Sequence, residues 1–93
     1  MSNFLVRVEL HGANYASYEH LHKAMAAQGF ARNIVGGDGN TYALPTAEYV
    51  TSTPQNGAAV RAQADAAAAS TGLNHAILVV DFGQAWWNGL PRV

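Results

Sequence analysis

The chain has no cysteine, and that one absence removes disulfide staples, zinc–thiolate sites and thiol nucleophiles together. Charge is scarce too. Only 12% of the residues are Asp, Glu, Lys or Arg, and five basic side chains against six acidic ones leave a net charge of −1. A protein that grips nucleic acid over a broad surface needs a stronger positive footprint, so any such contact has to be local or transient. No apolar run approaches the roughly 18 residues of a membrane helix, and no charged segment leads into an apolar signal core at the amino terminus. The expectation is a soluble, cytoplasmic protein without a membrane partner.

What is present is apolar. With 93 residues, 49% of them hydrophobic, the chain can form one layered core but not two. Residues 1–93 therefore read as a single domain, with 83–93 as a short extension. The clearest strand is Phe4–His11. Strand side chains alternate between faces, which puts Phe4, Val6, Val8 and Leu10 on one side and Leu5, Arg7, Glu9 and His11 on the other. Gly12-Ala13-Asn14 breaks the alternation, and Asn14 can cap a helix over Tyr15–Gln28. In that helix Tyr18, Leu21 and Met25 share a stripe, and Gly29 is the left-handed stop. Phe30–Val35 reads as a second strand, Gly36–Asn40 as a hairpin turn, and Thr41–Thr51 as the return strand. Pro45 lacks an N–H, which requires an edge or a bulge there. Thr53 before Pro54 looks like a helix start, with the helix running over Pro54–Ser70 on a narrow stripe of Val60, Ala64 and Ala67. Asn74–Phe82 is a strand apolar enough to be placed centrally in the sheet. The tail after Gly83 either adds a short strand or packs over an edge, because Trp86 and Trp87 cannot both point inward from an extended chain.

The order β-α-β-β-α-β predicts an α+β, ferredoxin-like sandwich: a four-stranded antiparallel sheet with two helices on one face. The other face is left bare. Leu5, Ile77 and Val79 are expected on it, and such apolar area favours a homodimer or a bound ligand.

Glu9 and His11, two apart on one strand face, can share a proton, and Arg7 adjoins them with the donor fork suited to phosphoryl oxygens. Arg32 joins them if its strand is a neighbour. The plainer alternative is that Arg7 and Glu9 are a surface pair and His11 is a loop residue. His20 and His22 are about 200° apart around a helix and cannot chelate one ion together. Glu19 with His22 or Lys23 reads as a solvent-facing helical pair. His75 and Asp81 are candidates for the open face, and a Glu9–Asp81 pair would bind a divalent cation if the strand ends coincided. Gly36-Gly37-Asp38-Gly39 lacks the lysine and following helix of a phosphate loop and is a turn.

Three stretches also carry a family resemblance: Phe4-Leu5-Val6-Arg7-Val8-Glu9-Leu10-His11-Gly12, Tyr18–Met25 with Gly29-Phe30, and Tyr42–Tyr49. Together they resemble the small family that includes the GhoS-like endoribonuclease antitoxin of type V toxin–antitoxin systems, over about residues 4 to 82. The resemblance implies a ferredoxin-like fold similar to the small CRISPR-associated nucleases, and cleavage of the messenger RNA of a partner toxin. In those nucleases an acidic residue at the end of the first strand is the metal-linked position, and Glu9 is about there. The resulting expectation is a homodimeric, sequence-selective endoribonuclease acting on RNA and not DNA. Glu9 and His11 are the catalytic pair, Arg7 and Arg32 bind RNA, no dedicated metal site is assigned, and a divalent cation is the one cofactor considered. The rival expectation is a non-catalytic ferredoxin-like module for dimerisation or protein binding.

Overall fold

Strand β1 (Ser2–Leu10) is the middle of the principal sheet, and the rest of the chain is attached to it. The computed structural model describes all residues from Met1 to Val93. Helix α1 (Tyr15–Ala27), strands β2 (Asn33–Val35), β3 (Thr41–Ala43) and β4 (Glu48–Thr53), helix α2 (Gly57–Ala69) and strand β5 (His75–Phe82) follow in that order. The principal sheet is antiparallel with order β4-β1-β5, and β2 and β3 form a separate two-stranded hairpin.

The expected α+β class and the helix-covered sheet are present, but the sheet has three strands, not four. The segment expected to be its fourth strand touches it at one place, where Ala31 and Val50 exchange two backbone hydrogen bonds of 2.8 and 2.9 Å. Beyond that bridge the chain turns away, and Leu44 N–H donates to Arg32 O instead. Pro45 supplies the reason. The expected return strand is cut there, because proline cannot donate to a ladder. A turn closes with Glu48 N–H donating to Pro45 O, and Ala47 takes a left-handed φ of 69°. The two halves of that strand thus serve different sheets. Two further expectations change. β5 is an edge strand, since only β1 pairs with it. The second helix starts at Asn56, whose side chain accepts the Ala59 N–H at 2.9 Å, whereas Thr53 ends β4 and accepts the Gln55 N–H in a turn.

The register explains the core. Val6 lies between Tyr49 and Val79, and Val8 opposite Ile77. Directly opposed residues share a face, so Phe4, Val6, Val8, Leu10, Tyr49, Ile77 and Val79 all face the helices. Leu21 and Met25 of α1 and Val60, Ala64, Ala67 and Ala68 of α2 close over them. The largest fully buried side chains are Tyr49, Leu21, Met25, Val6, Val8 and Val60. Burying each contributes about 1.5–3 kcal/mol. The alanines let α2 approach closely. Ile77 and Val79 therefore belong to the core; the residues of β5 on the bare face are Ala76, Leu78, Val80 and Phe82, with Leu78 and Val80 59% and 41% exposed.

The carboxyl-terminal extension does add strand-like pairing. Ala43 N–H donates to Pro91 O and Val93 N–H to Thr41 O, each at 2.9 Å, so the tail runs beside β3. Trp87 packs edge-on against Tyr42 with ring centres 5.6 Å apart, while Trp86 is 83% exposed. Gly36 is required where it stands, because a Cβ there would lie 2.8 Å from Asp38 Oδ1 and 3.2 Å from the Trp87 ring. Asp38 pins the turn by accepting hydrogen bonds from Tyr42 Oη and the Asn40 backbone, and the Tyr42 hydroxyl above all holds its carboxyl below the ordinary range.

Candidate functional site

The helix-free face is built on the outward positions of β1. Arg7 and Glu9 are exposed there, with Leu78 of β5 on one side of Arg7 and Glu48 of β4 on the other, and Ala76 beside Glu9. His11 follows just past the strand end. Its Nδ1 lies 3.8 Å from Glu9 Oε1, and both side chains are more than half exposed. Arg7, Glu9, Ala76 and Leu78 border a shallow concavity of about 180 Å³. The ion pairs of the protein are His11–Glu9 and His75–Asp65. Arg7 is in neither, so its guanidinium has no carboxylate oxygen within 4.0 Å.

Arg32 is not part of that row. Ala31 opposes Val50, so the next residue takes the parity of Tyr49 and turns to the helix side. Its charge is felt there by His22 and Tyr49. Arg7 and Arg32 are on opposite faces because the bridge puts residue 31, and not residue 32, at the parity of the bare face.

The register also separates the other expected partners. Asp81 opposes Phe4, and His75 opposes Leu10, which puts both on the helix face. Glu9 looks the other way and lies five residues from Phe4 along β1, so Glu9 and Asp81 cannot share an ion. Around Glu9 the donors are one carboxylate and one imidazole, and no three His, Asp or Glu side chains converge anywhere. That set falls short of the six or more oxygens a calcium ion takes and of the octahedral shell of magnesium.

Two polar arrangements escaped the sequence reading. In the first, Tyr49 is fully buried and its Oη lies 2.6 Å from His22 Nδ1. Burial pushes the Tyr49 hydroxyl up to about 12, and burial, aided by the Arg32 charge, holds His22 below its ordinary value. At neutral pH a protonated hydroxyl therefore meets a neutral imidazole. His22 is not a free member of a solvent pair with Glu19; a period-3.6 count places it on the helix flank but cannot show what it meets across the sheet. In the second, His75 Nδ1 lies 2.9 Å from Leu73 O and Nε2 lies 2.8 Å from Asp65 Oδ1. Both partners are acceptors, so both ring nitrogens must carry protons. The Leu73 carbonyl, and after it Asp65, raise the His75 pKa accordingly.

Next to the Arg7 row, the hairpin and the tail arch over the far end of the bare face. They enclose an apolar groove of about 350 Å³ whose walls include Leu5, Ile34, Val80, Trp86, Trp87 and Leu90. No protein-family model matches the chain, and no curated protein is significantly similar to it.

Proposed function

We propose that the protein is an RNA-directed endoribonuclease of the antitoxin type, working at the helix-free face of its sheet. The observation that carries this reading is the exposed row Arg7, Glu9, His11 with an arginine left without an internal partner. An unpaired guanidinium beside a proton-transfer pair is the minimum needed for phosphodiester cleavage by a neighbouring hydroxyl. Arg7 holds the non-bridging oxygens of the scissile phosphate. Glu9 takes the proton of the ribose 2′-hydroxyl as its oxygen bonds to phosphorus. The P–O5′ bond breaks, and protonated His11 supplies the proton to the departing oxygen. The products are a 2′,3′-cyclic phosphate and a 5′-hydroxyl. A protonated imidazole suits the role because each of its ring nitrogens carries a proton to give.

The test is incubation of the purified protein with labelled single-stranded RNA, including the transcript of any adjacent reading frame for a small membrane protein. The ends are mapped, and Arg7→Ala, Glu9→Ala and His11→Ala are run alongside. Loss of cleavage with unchanged circular dichroism in all three supports the reading, and full activity in Arg7→Ala and Glu9→Ala discards it. A second reading, a non-catalytic binding module, is favoured by the apolar groove, whose walls suit a hydrophobic protein segment better than a nucleotide chain. Intact RNA together with no RNA shift at low salt selects it, since phosphate contacts weaken steeply with salt and are strongest without it.

A further inference from the structure

β5 is eight residues long, forms the margin of the sheet, and has no backbone partner on its outer side. Natural edge strands are protected by proline, lysine, a bulge or a covering element. From Ala76 to Val80 none of the first three is present; the sequence is Ala-Ile-Leu-Val-Val and it pairs with β1 without interruption. The charged groups are confined to the two ends and to the flank of α2 above them. At one end Asp81 lies near Arg61, which reaches between the two ends, and at the other His75 is bonded to Asp65. The edge is thus apolar in the middle, with a cation and an anion at each end.

We infer that this edge pairs with the β5 edge of a second copy of the chain, antiparallel about a two-fold axis through Leu78, to give one continuous six-stranded sheet. For both helix layers to stay on the same side, residue i must oppose a residue of the same parity, so the axis passes through a residue. Through Leu78, His75 opposes the partner's Asp81 and Ala76 opposes the partner's Val80. Arg61 is then carried toward the partner's Asp65. Through Val79 instead, Asp81 would face the partner's Ile77, and His75 would face the partner's Gly83. Only the Leu78 axis sets every charge against its opposite, which is the self-complementarity a two-fold interface demands.

The pairing does not rest on the proposed function, but it bears on the helix-free face. Arg7 is level with Leu78 across β1 and β5, so the axis aligns Arg7, Leu78, the partner's Leu78 and the partner's Arg7 in one row. Three strand spacings separate the two Arg7 backbones by about 14 Å.

Sedimentation equilibrium on the full chain tests the inference. The wild type is expected at twice the 9.8 kDa chain mass, and Leu78→Asp, an exposed position, is expected at the monomer mass with unchanged circular dichroism. Arg61→Glu and Asp65→Arg are each expected to weaken self-association about tenfold by setting like charges together twice per dimer. Mixing these two variants is expected to restore association, because in the mixed dimer both cross pairs are again opposite in sign. Interactions within one helix cannot produce that rescue. A wild type that stays monomeric at every attainable concentration, a Leu78→Asp dimer, or a mixture no tighter than its components overturns it.

Discussion

The Tyr49 hydroxyl lies 2.6 Å from His22 Nδ1 and ties the most deeply buried tyrosine of the sheet to the flank of α1. Tyr18 contributes from the same helix. Its ring centre is 6.5 Å from that of His22, and its hydroxyl accepts the Leu10 N–H at 3.4 Å, at the end of β1. A neutral imidazole is thus built into the packing of helix on sheet.

Removing the hydroxyl in Tyr49→Phe is expected to cost about 1 kcal/mol, the net worth of a typical hydrogen bond. Urea denaturation at neutral pH measures it as a lower midpoint with an unchanged slope.

His22 and His75 should oppose one another in pH. His22 is lowered in the folded state, so the unfolded chain takes up its proton first. Its contribution is intact above about 6.5, the ordinary histidine value, and stability falls as the pH drops from there through the folded pKa. His75 is raised, so its stabilisation is complete below the ordinary value and disappears as the pH climbs through the folded pKa. Imidazole NMR titration checks the order, with His22 titrating last on acidification and His75 first. In Asp65→Asn the His75 transition moves down toward the ordinary value, and the alkaline loss of stability shrinks with it.

Ala47 is a buried residue at φ 69°. A β-branched side chain has to clash with its own backbone in that conformation, so Ala47→Val is expected to lose about 2 kcal/mol or more. Ala47→Gly is the tolerated control. Thermal unfolding of the pair separates backbone strain from loss of a methyl group.

Ala64 is fully buried on the sheet-facing side of α2. Ala64→Leu forces the helix away from the sheet and is expected to destabilise by about 1–3 kcal/mol. Replacement of exposed Ala62 by leucine should change stability by less than about 0.5 kcal/mol. Urea midpoints of the two variants make the comparison.

Much of this was readable in advance. The stripe Tyr18, Leu21, Met25, the cap at Asn14 and the alternation along β1 each depend on local spacing, and each is present. The long return strand was not readable, because a proline announces an interruption without saying which sheet each half will join. Nor was the central place assigned to β5. An uninterrupted apolar run says only that neither side of a strand is charged, and it cannot distinguish a buried strand from an edge. Of the candidate site, the row Arg7, Glu9, His11 follows from strand parity alone. The separation of Arg32 from it, and the His22–Tyr49 and His75–Asp65 bonds, depend on partners 27 and 10 residues apart in sequence.

By itself the chain determined its two helices, its helix-facing residues on β1 and the parity that displays Arg7 with Glu9, since these follow from bond geometry and the burial of apolar side chains within a few residues. Only the tertiary structure decided which strands are neighbours, which face each half-strand joins and which polar groups meet. Those choices are made by backbone hydrogen bonds across long loops, where one missing N–H at Pro45 is enough to divide a strand between two sheets.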